Sequence, residues 1–177
     1  RSLQVPVISV SEEMSVINVY AGGSKHQLQD ISRLLDRANQ ALQTLERYKA
    51  RLDDALSALT ANELEDIVTV RDVTAVMQRS DMVHRIATEL ETMIIELGVD
   101  ARLLRLQLDE LYGEIDDEID LVAADYPRIA AGYSGSGLDA DAPASPRGLR
   151  LLARVARVTP AIAMKVVDHF GELARLQ

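Results

Sequence analysis

A run of aliphatic residues at three- and four-residue spacing constrains this chain more than any other feature. It covers residues 31–59 and consists of Ile31, Leu34, Leu35, Ala38, Leu42, Leu45, Leu52, Leu56 and Leu59. That spacing places the aliphatic side chains on one face of an α-helix of roughly eight turns, with Asp30 as its N-cap. Because one helix cannot bury such a stripe alone, the sequence predicts a helical bundle.

A second aliphatic stripe over residues 73–97 predicts the partner helix, and Gly98 is placed where a glycine would end it. We expect a break between the two helices near residues 60–62. A third helix is predicted over residues 103–111, capped by Asp100. Leucines occur on several of its faces, which predicts a well-buried helix.

The acidic run 114–120 lacks the ligand spacing and central glycine of a calcium loop, so it reads as a solvated loop. One further weak helix is expected after it, and Pro127 stops that helix.

Residues 5–11 and 15–20 read as two strands, with Gly22 and the glycine after it in a turn. Two strands are marginal alone, so this pair predicts part of a larger sheet.

Residues 131–145 are rich in Gly, Ser and Pro, which predicts a flexible tether. The pattern beyond them predicts a pair of short helices joined by a hairpin. The predicted parts are a cap at Ser145, Pro146 in a first helical turn, a helix over 147–154, a hairpin over 156–160 and a helix over 161–170.

Net charge is uneven along the chain. The whole chain carries −9, but residues 145–177 hold six Lys and Arg against Asp168 and Glu172, or +4, which leaves −13 elsewhere. This favours a polyanionic partner at the basic tail, although ordinary surface variation gives the same pattern.

Cysteine is absent, which excludes disulfides and thiolate metal sites. The sequence has no signal peptide and no bilayer-spanning apolar run, so a cytoplasmic protein without a membrane partner is expected.

Several stretches, in order along nearly the whole chain, resemble the DNA-integrity-scanning, or DisA-type, diadenylate cyclases of actinobacteria. No single stretch is a strong motif, but the ordered combination is specific. The stretches are residues 6–11 (PVISVS), 14–20 (MSVINVY), 34–41, 44–53, 65–73, 96–98, 106–111, 145–148 (SPRG) and 166–171 (VVDHFG).

The resemblance implies a mainly α fold: an antiparallel helical bundle, preceded by a short β-hairpin remnant of an α/β cyclase domain and followed by a partial helix-hairpin-helix domain. Residues 1–24 are then the last cyclase strands, 25–128 a helical linker domain, 129–145 a flexible linker and 146–177 the start of the DNA-binding domain. The sequence is then expected to be cut at both ends. Members condense two ATP into cyclic di-AMP with Mg²⁺ or Mn²⁺, assemble as octamers and bind branched DNA, which lowers synthesis.

The family motifs Asp-Gly-Ala and Arg-His-Arg do not occur in this sequence, so it offers no catalytic residue and no metal ligand, and we expect the chain alone to be inactive. The resemblance assigns an ATP phosphate contact to Ser11; read without it, Ser11 is an ordinary turn residue. The next position, often basic in the family, is Glu12, whose charge does not suit a phosphate.

DNA contact through phosphates is predicted for five basic residues near the C-terminus. They are Arg147, Arg150, Arg154, Arg157 and Lys165. The alternative for these residues is a solvated helical face with a purely structural hairpin. At the level of function, the alternative to the enzyme is a non-catalytic helical scaffold or DNA-binding adaptor.

Overall fold

The computed structural model describes residues 5–13, 16–132 and 137–173, and the protein is mainly α-helical with strands at its N-terminal end, as predicted. Three antiparallel strands pair in the order β1-β2-β3. The elements are β1 (Val7–Ser11), β2 (Val16–Ala21), β3 (Ser24–Leu28), α1 (Ile31–Glu65), α2 (Val70–Leu97), a 3₁₀ turn (Gly98–Ala101), α3 (Arg102–Tyr112), α4 (Ile115–Asp125), α5 (Pro127–Ala130), α6 (Leu149–Ala153) and α7 (Pro160–Phe170).

The sheet contains one strand more than the sequence predicts. Gly22 and Gly23 both have positive φ and form the predicted turn, which joins β2 to the unpredicted β3. The sequence of β3 is polar and does not alternate, so its strand character comes from pairing with β2. Met14, predicted in a turn, and Ser15, predicted to begin the second strand, lie outside the described residues.

Helix α1 runs without interruption through residues 60–62, so the predicted break there is wrong. Those residues include neither Gly nor Pro, and the Thr60 hydroxyl donates to the carbonyl of Leu56 within the helix. The helix ends instead at Asp66, which adopts a left-handed conformation and donates its backbone N–H to two α1 carbonyls.

Helices α1 and α2 pack antiparallel and form the body of the bundle. Arg37 pairs with Glu89, and the backbone N–H of Gln29 donates to the Glu96 carboxylate at 2.7 Å, so the start of α1 lies beside the end of α2. Helix α2 ends at Gly98, as predicted. Leu34, Leu45, Leu52 and Leu59 of α1 share one buried core with aliphatic side chains of α2, α3, α4 and α5.

The predictions for α3 and for the acidic run need correction. In α3 only one face is covered: Leu104 and Leu108 are buried, whereas Leu103 is 68% and Leu106 58% exposed. Asp100 lies in the 3₁₀ turn and does not cap this helix. Residues 114–120 are not a loop, since most of them form the start of α4, where acidic side chains suit the positive end of the helix dipole.

The Gly/Ser/Pro-rich segment is not a free tether over its described part. The backbone N–H groups of Val70 and Arg71 donate to the carbonyls of Ala142 and Ala140, and Ala144 donates to Val68. The first N–H groups of a helix lack partners within it. Residues 137–145 supply acceptors for two of them at the start of α2, which holds this segment against the bundle.

The residues after this segment, 146–173, are called the C-terminal segment below. Helix α6 begins later than predicted, after Gly148 in a left-handed conformation, so Pro146 is not in a helical turn. The segment has a small core of its own, made by Leu149, Ala163 and Val167. Of the helices in the described residues, none combines the length and the apolar character that crossing a bilayer requires.

Candidate functional site

The side chain of Arg150 is completely buried where α6 meets the bundle. Its guanidinium contacts the carboxylate of Glu63 on α1 at 2.5 Å and that of Glu118 on α4 at 3.2 Å. Asp125, at the end of α4, and Tyr126 complete the surroundings. These five residues, Glu63, Glu118, Asp125, Tyr126 and Arg150, are called the Arg150 cluster below.

Asp125 acts as a cap for α6, although it belongs to another helix. One carboxylate oxygen accepts the backbone N–H of Leu149 at 2.6 Å, and the other accepts that of Arg150 at 2.9 Å. The position before the helix is Gly148, which has no side chain that could cap it. The first turn of α6 therefore depends on a carboxylate supplied by the bundle.

Burial dominates the ionisation of the acidic groups in the cluster. It raises the pKa of Glu63 above 4.5, against the lowering effect of the Arg150 charge and the hydrogen bond from the Tyr126 hydroxyl. Burial likewise raises the pKa of Asp125, against the backbone hydrogen bonds that it accepts from α6. The pKa of Tyr126 is raised by burial and by the neighbouring Glu63 carboxylate. The carboxylates of the cluster therefore lose hydration, and the contacts from Arg150 offset only part of that cost.

Glu118 joins the cluster to the protein surface. The same oxygen, Oε1, accepts from Arg150 at 3.2 Å and from Arg154 at 2.7 Å. The Arg154 side chain is 50% exposed, and that of Glu118 is 26% exposed. One carboxylate thus serves a buried arginine on one side and a solvent-accessible arginine on the other.

The five residues predicted to contact DNA differ in burial and in their partners. Arg150 is buried and both of its Nη atoms bind carboxylates of the bundle, so its guanidinium is not accessible to DNA in this arrangement. Arg147 pairs with Asp168 at 3.2 Å. Arg157, in the hairpin between α6 and α7, and Lys165 on α7 are exposed. DNA contact by Arg147, Arg154, Arg157 and Lys165 stays a prediction.

Ser11, the predicted ATP phosphate contact, lies far from these arginines. It ends β1, pairs with Val16 and is partly buried, and Glu12 follows it in an exposed turn. The sheet meets the bundle at the start of α1, where His26 of β3 lies 3.5 Å from Glu96. In the described ranges, no group of three or more His, Asp and Glu side chains has an arrangement that could hold a metal ion.

The sequence alone does not identify Glu63, Asp125 and Tyr126 as members of one site. A signal for Glu63 exists, because it continues the stripe of Leu52, Leu56 and Leu59 at the next four-residue step, where an aliphatic residue is expected. A carboxylate on an apolar stripe indicates a buried cation nearby. The sequence offers no comparable pattern that identifies Arg150 as that cation.

Comparison with known proteins gives the family. Residues 28–136 match the model of the DisA bacterial checkpoint controller linker region. The chain is 46% identical to the DNA integrity scanning protein DisA of Streptomyces griseus, 44% to that of Acidothermus cellulolyticus and 45% to that of Streptomyces coelicolor. These matches cover 97%, 99% and 99% of the chain but only 54%, 56% and 56% of the relatives. The chain therefore belongs to the family of DisA DNA integrity scanning proteins and contains their linker region.

Proposed function

We propose that this chain connects the cyclase and DNA-contacting parts of a DNA-integrity-scanning diadenylate cyclase. That enzyme would join two ATP molecules into cyclic di-AMP in the cytoplasm, act as a homo-oligomer and respond to branched DNA. The relatives share the name DNA integrity scanning protein, and the chain spans a little over half of their length. The cyclase activity and its substrates belong to the whole protein in this proposal.

The observation that carries the proposal is the position of two attachments on α1. Beside the start of α1, His26 of β3 and the backbone N–H of Gln29, which follows β3, both contact the Glu96 carboxylate. The C-terminal segment is held at the other end of the same helix by Glu63. Residues 31 and 63 lie about 50 Å apart along a straight helix. A helical bundle of this length with a buried core would hold a cyclase sheet and a DNA-contacting segment at a fixed separation.

Within this proposal, Ser11 contacts an ATP phosphate, and four exposed or partly exposed basic residues contact DNA phosphates. These four are Arg147, Arg154, Arg157 and Lys165. Mg²⁺ or Mn²⁺ would neutralise phosphate charge during nucleotidyl transfer, and no described residue of this chain is proposed as its ligand. Phosphate contacts position DNA without reading its sequence, which suits a protein that responds to DNA shape.

DNA binding tests the proposal directly. We expect the chain to bind a fluorescent four-way junction more tightly than a duplex of equal length, with affinity that falls steeply as salt rises. Arg157→Glu and Lys165→Glu should each weaken binding and lower the salt slope by about 1. Arg33→Glu, an equal charge change at the far end of α1, is the matched control. Salt-independent binding, or an equal loss in the control, would contradict the proposal.

A non-catalytic scaffold or DNA-binding adaptor is the second candidate, and the absence of the Asp-Gly-Ala and Arg-His-Arg motifs from the chain favours it for this polypeptide. Incubation of the chain with ATP and Mn²⁺ tests whether the chain is catalytic by itself. We expect no cyclic di-AMP above a control without protein. Measurable synthesis would show that these residues contain a complete nucleotide site.

A further inference from the structure

We propose that Glu118 makes DNA binding at Arg154 and docking of the C-terminal segment on the bundle mutually antagonistic. This inference rests on the DNA contact of the C-terminal segment proposed above, and it adds the regulation of that contact. Its physical basis is that the single oxygen Glu118 Oε1 accepts from both Arg150 and Arg154.

The docking of α6 onto the bundle depends mainly on polar contacts. Among the buried and partly buried hydrophobic residues that the structure describes, Ala124 is the bundle residue that packs against the small core of the C-terminal segment. The stronger links are the Asp125 cap on Leu149 and Arg150 and the ion pairs of Arg150. Docking that relies on charges in a poorly hydrated site responds strongly to any change in the local charge balance.

The charge balance at this site includes Arg154. Three carboxyl groups, those of Glu63, Glu118 and Asp125, face two guanidinium groups, those of Arg150 and Arg154. Arg154 is the guanidinium that solvent, and therefore a phosphate, reaches. A phosphate that engages Arg154 draws it away from Glu118 and adds negative charge. Three carboxyl groups then face Arg150 alone, which weakens the docked arrangement.

Linkage makes this antagonism reciprocal: if DNA favours release of α6, release of α6 strengthens DNA binding by the same factor. The backbone amides of Leu149 and Arg150 report on docking, because both donate to Asp125 only in the docked arrangement. The amide of Leu45, in the buried middle of α1, serves as a reference that docking does not change.

The experiment measures amide hydrogen exchange of the whole chain by NMR, free and saturated with a four-way DNA junction at low salt. We expect exchange at Leu149 and Arg150 to accelerate about fivefold or more on DNA binding, while exchange at Leu45 does not change. Unchanged or slower exchange at Leu149 and Arg150 with DNA bound would overturn this inference alone. A complete lack of DNA binding at low salt would overturn the proposed function and this inference with it.

Two variants, each with its own control, separate the antagonism from a general loosening of the fold. Glu118→Gln removes the carboxylate for which the arginines compete, so DNA should bind several-fold more tightly and no longer accelerate exchange. Glu110→Gln, the same charge change at an exposed position of α3, controls for net charge. Arg154→Gln should accelerate exchange at Leu149 without DNA, and Arg154→Lys should restore slow exchange. Identical behaviour of Glu118→Gln and Glu110→Gln would contradict the shared-carboxylate mechanism.

Discussion

The guanidinium of Arg150 lies 2.5 Å from a carboxylate oxygen of Glu63, although 87 residues separate them in the chain and neither side chain is exposed to solvent. Placing two charges out of water is costly, so such a pair contributes little net stability compared with apolar residues. It does penalise every arrangement in which either charge is buried alone. The pair therefore specifies where the C-terminal segment docks on the bundle.

Asp125→Asn tests the cap that the bundle supplies to α6. Asparagine has one oxygen in place of two, and its amide group faces a backbone donor, so one of the N–H groups of Leu149 and Arg150 loses its acceptor. We expect the free energy of unfolding to fall by about 1–3 kcal/mol, measured by urea denaturation. Asp120→Asn, on an exposed position of the same helix, is the control. Equal stability of the two variants would show that Asp125 does not cap α6.

The raised pKa of Glu63 predicts a pH dependence of stability. Because burial raises this pKa above its ordinary value of 4.5, the folded protein holds the Glu63 proton more tightly than the unfolded chain. The Glu63 contribution to stability is therefore greatest below pH 4.5 and is lost as pH rises through the folded pKa. Glu63→Gln removes the titrating group. The stability of the parent minus that of the variant should fall between pH 4.5 and neutrality; a rise over this range would contradict the shift.

Arg157 combines an exposed charge with a left-handed backbone, φ 72°, between α6 and α7. A residue with a Cβ pays roughly 1–2 kcal/mol for this conformation. Arg157→Gly should therefore be more stable to urea than Arg157→Ala by about 1 kcal/mol, since both lose the charge and only glycine relieves the strain. Both variants should lose DNA affinity equally. If glycine gives no advantage in stability over alanine, the hairpin is not strained at this position.

The sequence predicts the bundle and its long helices well, because aliphatic periodicity reports which faces are buried. It fails where partners are distant in the chain. Residues 137–145 look like a tether because their composition is typical of flexible segments. Yet two of their carbonyls accept hydrogen bonds from the first backbone N–H groups of α2. Arg150 looks like a surface arginine because its sequence neighbours do not reveal Glu63 and Glu118. Only the fold brings those carboxylates to the guanidinium.

A double-mutant cycle on Glu63 and Arg150 tests most directly whether this buried pair fixes the C-terminal segment to the bundle. Arg150→Met leaves Glu63 buried without its cation, and we expect a loss of about 3–5 kcal/mol in the free energy of unfolding. Glu63→Met should also destabilise, and the double variant should lose less than the sum of the two by about 2 kcal/mol or more. Losses that add within about 0.5 kcal/mol would contradict the account, because independent sites behave in that way.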